Sequence, residues 1–144
     1  MAANMELKSS LVNLQCELVA ERALVNPEGI TWLQYDILFQ LEKEREIVPS
    51  LLSAVLGISR AKLSKALKEL KALGYVVQSP NPSDGRELLT SVTAKGKRIL
   101  RNISEKHETL HQTALEVLGE EEQHVFARLA KQLSAALREK RLEQ

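Results

Sequence analysis

The chain of 144 residues carries 20 basic and 19 acidic residues and one cysteine, Cys16. A single cysteine excludes an intramolecular disulfide, so the composition favours a reducing compartment. Near Met1 there is no basic-then-apolar signal-peptide pattern, and no apolar run approaches the ~18 residues of a membrane span. We therefore expect a cytoplasmic protein with no membrane segment.

The near-neutral net charge hides an uneven distribution along the chain. Between Gly57 and Arg98 there are nine basic and three acidic residues, a net charge of +6, whereas the remaining eleven basic and sixteen acidic residues sum to −5. A basic middle between acidic ends is typical of a domain with one anion-binding face.

Hydrophobic periodicity and turn signals predict a mainly helical chain with about six helices and one β-hairpin. Thr31 and Ser59 are suitable helix N-caps, Pro49 suits a first helical position, and Gly57 and Gly74 suit helix ends. In chain order, the predicted elements are helices over 6–23, 32–43, 49–56 and 60–73, strands over 75–77 and 88–92, one long helix over 93–118, and a last helix over 120–141.

Two short helices joined by a glycine-containing turn and followed by a hairpin indicate a winged helix-turn-helix. We predict a DNA-binding lobe over residues 31–96 and a helical dimerisation region over residues 1–30 and 97–144, packed as one compact protomer. The apolar stripes of the first and last helices have no obvious partner in a small winged helix alone, which favours a homodimer through these helices.

The fourth predicted helix has the features of a recognition helix. From Arg60 to Lys71 it carries five basic residues and one acid, Glu69, whereas an ordinary solvated helix face usually mixes charge signs. Residues early in such a helix reach base edges, and flanking groups bind phosphate. The candidates for base contact are Ala61, Lys62, Ser64 and Lys65, and those for phosphate contact are Ser50, Ser59, Arg60 and Lys68.

The run from Asp84-Gly85-Arg86 to Thr93-Ala-Lys-Gly96, together with Leu73-Gly74-Tyr75-Val76 upstream, resembles the wing signature of the MarR family of transcriptional regulators. The resemblance implies that Arg86 enters the minor groove, where negative potential attracts arginine, and that Asp84 orients it. An ordinary Asp-Gly hairpin turn with solvated charges is the alternative interpretation.

The same resemblance implies a two-fold dimer on a pseudo-palindromic operator in double-stranded DNA, and a repressor released by a small aromatic or anionic effector. It implies no required cofactor. Trp32, Tyr35 and Phe39 share one helix near the family's usual effector pocket, although core packing is the commoner role of such a stripe. The first helix looks short for the family, so we expect a smaller or reshaped pocket.

Cys16 and a histidine pair suggest two further sensor hypotheses. Cys16 has no basic neighbour within four residues to lower its pKa, which favours a buried, inert thiol. His107 and His111 lie one helical turn apart, and Asp36 is the matching acidic residue of the second helix. These residues supply only part of a tetrahedral zinc site, so solvated histidines are the default and a zinc-responsive regulator is an alternative.

The sequence does not favour an enzyme, because it has no glycine-rich phosphate loop and no nucleophile–histidine arrangement. The remaining alternative is a winged-helix protein–protein adaptor whose basic face is incidental. The lysine-rich helix and Arg86 favour DNA as the partner.

Overall fold

The computed structural model describes residues 2–25, 27, 29–83, 85–106 and 108–143. In this part of the chain, seven helices and one two-stranded antiparallel sheet confirm the predicted mainly helical fold with a β-hairpin wing. The elements are α1 (Ala2–Leu24), α2 (Trp32–Glu44), α3 (Pro49–Leu56), α4 (Arg60–Ala72), β1 (Val76–Pro80), β2 (Leu88–Val92), α5 (Ala94–Lys106), α6 (Thr109–Val117) and α7 (Glu120–Leu142).

The predicted helix ends are formed by the residues that the sequence indicated. The side chain of Thr31 accepts the Gln34 amide at 3.1 Å, and the Gln34 side chain accepts the Thr31 amide at 2.9 Å, which completes a capping box on α2. Ser59 caps α4 by accepting the amide of Lys62 at 3.1 Å. Gly57 ends α3 in the left-handed conformation, at φ 68°, where a side chain would be strained.

The helix that the sequence predicts over 93–118 is two helices in the structure, α5 and α6. Neither glycine nor proline lies between them, so the sequence carries no break signal. The surroundings of the two segments differ: α5 buries Ile103 in the core, whereas α6 has no buried residue. The hydrophobic core of the lobe therefore includes α5 but no residue of α6.

One hydrophobic core lies between α2, α3, α4, the hairpin and α5. Its fully buried side chains include Leu38 and Leu41 of α2, Leu52 of α3 and Leu63 of α4. The strands pair from Val76↔Val92 to Pro80↔Leu88, and a further bridge, Ile47↔Thr90, fastens the chain before α3 to the wing. These elements of the winged lobe therefore share one continuous hydrophobic core.

The apolar faces of α1 and α7 lie outside this core. Their exposed large apolar side chains are Met5, Leu7, Leu11, Val12, Leu14, Leu18, Val19 and Leu24 on α1, and Val125, Phe126, Leu129, Leu133, Leu137 and Leu142 on α7. Exposed apolar side chains scattered singly are normal on a protein surface, whereas contiguous rows on two helices are typical of an interaction surface. These faces are available to a partner.

Two expectations about α1 are corrected by the structure. The helix spans 23 residues, Ala2–Leu24, rather than the predicted 18. Cys16 is exposed in the protomer, and the expectation of a buried thiol is wrong. The exposure of the thiol follows from the position of α1, none of whose described side chains is buried in the protomer.

The junction between the wing and α5 is the tightest backbone approach among the glycines. Thr93 donates its amide to the Tyr75 carbonyl at 3.0 Å, and Gly96 packs directly above that carbonyl. A Cβ on Gly96 would lie 2.4 Å from the Tyr75 oxygen and 2.6 Å from a methyl carbon of Val92. This position therefore requires glycine because of space rather than backbone dihedral angles.

Candidate nucleic-acid interface

α4 has one buried apolar face and one exposed basic face. Leu63, Ala66, Leu67 and Leu70 anchor it in the core. The predicted base-contacting residues Ala61, Lys62, Ser64 and Lys65 all lie exposed, as does the predicted phosphate contact Lys68. The core contacts fix the rotation of the helix and so keep its cationic face directed outwards.

The wing lies beside this helix and carries Arg86, which is exposed. At the start of the wing turn, the side chain of Asn81 accepts the amide of Ser83 at 3.0 Å, as asparagine often does in turns. Asp84, the residue predicted to orient Arg86, lies outside the described residues. The role assigned to it stays a prediction.

Two of the predicted phosphate contacts, Ser50 and Arg60, meet a carboxylate that the sequence did not single out. Ser50 donates its amide to Glu87 at 3.1 Å and its hydroxyl to the other carboxylate oxygen at 2.9 Å. Arg60 donates to Glu87 at 3.3 Å. We call Ser50, Arg60 and Glu87 the wing-base cluster. Glu87 follows Arg60 by 27 residues and Ser50 by 37 residues in the chain, so no local sequence pattern indicates this cluster.

A cavity of about 520 Å³ lies between α1, α2 and α6. Its lining residues are Gln15, Leu18, Val19, Glu21, Arg22, Trp32, Tyr35 and Leu110. Trp32 and Tyr35, two of the three predicted pocket residues, therefore share one wall. Phe39 is not part of the lining; it stacks on Tyr35 with ring centroids 6.4 Å apart and is half exposed.

Arg22, one of the lining residues of this cavity, joins α1 to α2. Its guanidinium donates two hydrogen bonds to Asp36, at 2.7 and 2.9 Å, and lies 4.7 Å from the centre of the Trp32 ring. The Trp32 indole in turn donates to the carbonyls of Arg22 and Val25, at 2.8 and 3.0 Å. The only tryptophan of the sequence is thus fixed at the cavity wall.

Two pKa shifts accompany this arrangement. The hydrogen bond to Asp36 raises the pKa of Arg22 above its ordinary value, with the charge of Asp36 acting in the same direction against partial burial. Burial raises the pKa of Tyr35, because the phenolate is less well solvated than in water. Arg22 is therefore a cation and Tyr35 a neutral phenol at neutral pH.

The structure does not favour the zinc interpretation. Asp36 is engaged by Arg22, the exposed His111 lies 3.5 Å from Glu108, and His107 lies outside the described residues. Within the residues that are described, no group of three or more histidine, cysteine, aspartate or glutamate side chains is placed to hold a metal ion. None of the described helices is long and apolar enough to cross a membrane.

Comparison with known proteins points to one family. Residues 28–87 match the sequence profile of the MarR family. Over 105 residues, the chain is 30% identical to the transcriptional repressor MprA of Escherichia coli. This alignment covers 70% of the chain, and the chain spans 60% of the length of MprA. The chain is similar to the MarR family over these residues. The multiple antibiotic resistance protein MarR of Salmonella typhimurium is 27% identical over 110 residues, 76% of either chain.

Solved structures of the MarR family share the fold. A mutant of Escherichia coli MarR in complex with operator DNA superposes with a TM-score of 0.65 at 26% identity, over 87% of this chain and 91% of that one. A MarR family regulator from Streptomyces coelicolor, also in complex with DNA, superposes with a TM-score of 0.72 at 23% identity, over 95% of this chain and 89% of that one. At this identity the similarity shows only that the two chains share a fold. These relatives are transcriptional regulators, not enzymes.

Proposed function

We propose that this protein is a MarR family regulator of transcription, and specifically a repressor. It binds double-stranded DNA with sequence preference, as a homodimer in the cytoplasm. The single observation that carries the proposal is the exposed cationic face of α4 beside the wing. A helix of about this length fits the major groove, and its lysines neutralise phosphates on either side.

We assign direct base contact to Ala61, Lys62, Ser64 and Lys65, which lie in the first half of α4. Ser59 and Lys68 contact phosphate at the edges of the groove, and Arg86 enters the adjacent minor groove. Phosphate contacts set the register, and base contacts provide the sequence preference. The match to operator-bound MarR of Escherichia coli supports this docking.

The dimer is formed by the apolar faces of α1 and α7, within a dimerisation region over residues 1–30 and 97–144. These faces are exposed in the protomer, whereas the hydrophobic core of the winged lobe takes residues from Ile30 to Ile103 and none from α1 or α7. A two-fold axis would present two copies of α4 to the two halves of a pseudo-palindromic operator, about one helical turn apart.

Fluorescence anisotropy tests the proposal. The protein is titrated onto the DNA upstream of its own gene and onto a scrambled duplex, between ~50 and 200 mM salt. We expect tighter binding to the upstream fragment, with affinity that falls steeply as salt increases. No binding to either duplex at the lowest salt would contradict DNA binding and leave a protein–protein adaptor.

Arg86→Ala tests the wing. We expect this variant to lose ~1–3 kcal/mol of binding free energy on the preferred duplex, because one groove contact is removed. Arg101→Ala, which removes an equal charge from an exposed position on α5, serves as the control and should bind as the wild type does. Equal affinities of the Arg86 variant and the wild type would remove the wing from the mechanism.

We further propose that a small aromatic anion in the cavity of about 520 Å³ releases the DNA. Trp32 lies in its wall, so binding of such a ligand should change the indole fluorescence. With benzoate as the probe, we expect the fluorescence change and the release of labelled DNA to follow the same concentration dependence, and Tyr35→Ala to shift both. Release without a fluorescence change would place the effector site elsewhere.

A further inference from the structure

Glu87 places a negative charge in the surface that otherwise carries lysine and arginine. It follows Arg86 directly and precedes β2, so it lies where the wing joins the lobe. Its carboxylate accepts the amide and hydroxyl of Ser50 and a guanidinium N–H of Arg60. The wing-base cluster therefore joins the wing, the start of α3 and the start of α4 at one point.

The contact with Ser50 supplies a cap that α3 lacks. Val48, the N-cap residue, has no side-chain cap hydrogen bond, and Pro49 has no amide hydrogen. Ser50 provides the next free amide, and Glu87 accepts it from 37 residues away. A carboxylate at a helix N-terminus is also favoured by the helix dipole. This contact fixes the wing relative to α3.

The contact with Arg60 has a different consequence, because it occupies a cation at the edge of the DNA-facing surface. The side chain of Arg60 is 58% exposed and that of Glu87 is 26% exposed, so the ion pair is open to water and to a phosphate. At 3.3 Å it is also the longest of the contacts to Glu87. Arg60 is thus the exchangeable member of the cluster.

We propose that Glu87 is a positioning and specificity-determining residue, an inference that rests on the proposed function. Through Ser50 it holds the wing in place, and through Arg60 it withholds one cation from phosphates. Sequence-independent binding depends mainly on the number of phosphates neutralised. Glu87 therefore lowers affinity for non-operator DNA while it keeps the wing aligned for the operator.

Glu87→Gln separates the two roles. The amide oxygen of glutamine can still accept the Ser50 amide, and its NH₂ group can donate to the Ser50 hydroxyl, but the charge that holds Arg60 is gone. On a scrambled duplex, we expect the slope of log affinity against log salt to become more negative by about 0.9, the value of one phosphate contact, and affinity to rise about three- to eightfold at ~100 mM salt. Glu46→Gln removes an equal charge from an exposed position outside the cluster, and we expect it to leave the slope unchanged.

Arg60→Ala, made in both backgrounds, identifies the released cation. In the wild type we expect little change of the salt slope, because Glu87 already neutralises Arg60. In Glu87→Gln, the added Arg60→Ala should return the slope to the wild-type value. Unfolding curves of all variants establish that each one is folded under the binding conditions.

Any one of three results overturns this inference without affecting the proposed function. They are an unchanged salt slope in Glu87→Gln, a steeper slope that persists in the double variant, and an equally steeper slope in Glu46→Gln. In each of these the wild type still binds DNA, so the proposed function stands. A wild-type protein that binds no DNA at ~50 mM salt would overturn the proposed function and the inference together.

Discussion

Replacing Leu129 with glutamate is expected to convert the dimer into monomers and to lower operator affinity by about a thousandfold or more, towards the level of non-specific binding. Leu129 lies mid-way along the apolar face of α7 and is 49% exposed in the protomer. In a two-fold interface the substitution occurs twice, and each copy would bury a charge without a partner. The loss of one recognition helix from the complex accounts for the loss of affinity.

Sedimentation at micromolar concentration measures the oligomeric state, and anisotropy on the preferred duplex measures binding. Ala127→Glu is the matched control, because it adds the same charge to an exposed position of α7 about 160° around the helix from Leu129. We expect the control to stay dimeric. A dimer of unchanged affinity in Leu129→Glu would show that α7 lies outside the interface.

Gly96→Ala is expected to reduce the free energy of unfolding by about 3 kcal/mol, the upper end of the range for overpacking. The added methyl group would lie 2.4 Å from the Tyr75 carbonyl oxygen, which is backbone and already accepts the Thr93 amide. The Tyr75 carbonyl and the Thr93 amide are both backbone groups, so neither can move aside as the end of a flexible side chain could. The start of α5 must therefore move away from the hairpin, and the hydrogen bonds at this junction are strained with it.

Urea unfolding at one fixed protein concentration measures this effect, since the stability of a dimer depends on concentration. Gly85→Ala is the control: a Cβ there meets no atom within 4 Å, and we expect a change within about 0.5 kcal/mol. If Gly96→Ala were as stable as this control, the close approach of α5 to Tyr75 would not exist in solution.

Much of the lobe could be predicted from sequence because its determinants are local. Caps such as Thr31 and Ser59, the glycine that ends α3, and the amphipathic spacing of α4 act within one or two turns. The break between α5 and α6 could not be predicted, since no residue type marks it. It arises where packing against the lobe ends, which is a property of the fold rather than of a short segment.

The candidate site divides in the same way. The exposed basic face of α4 was evident from its charge pattern, whereas the wing-base cluster joins residues that only the fold brings together. For Cys16, the sequence suggested burial because free cysteines are usually buried. The thiol is exposed in the protomer because the helix that carries it packs outside the lobe. Long-range contacts and the surroundings of isolated helices are what sequence patterns omit.

The C-terminal part of α7 is fastened to the lobe by two arginines. Arg138 forms an ion pair with Glu44 at the end of α2, and Arg141 donates to the Val55 carbonyl of α3 at 3.1 Å. The 23 residues of α7 extend over about 35 Å, so in the proposed dimer a change in the direction of α7 would carry the attached lobe with it. A tilt of about 5° between the two copies of α7 would displace the lobe by about 3 Å, close to the rise of ~3.4 Å per base pair. A small change in how two protomers cross is thus sufficient to put a recognition helix out of step with its half-site, without any deformation of the lobe itself.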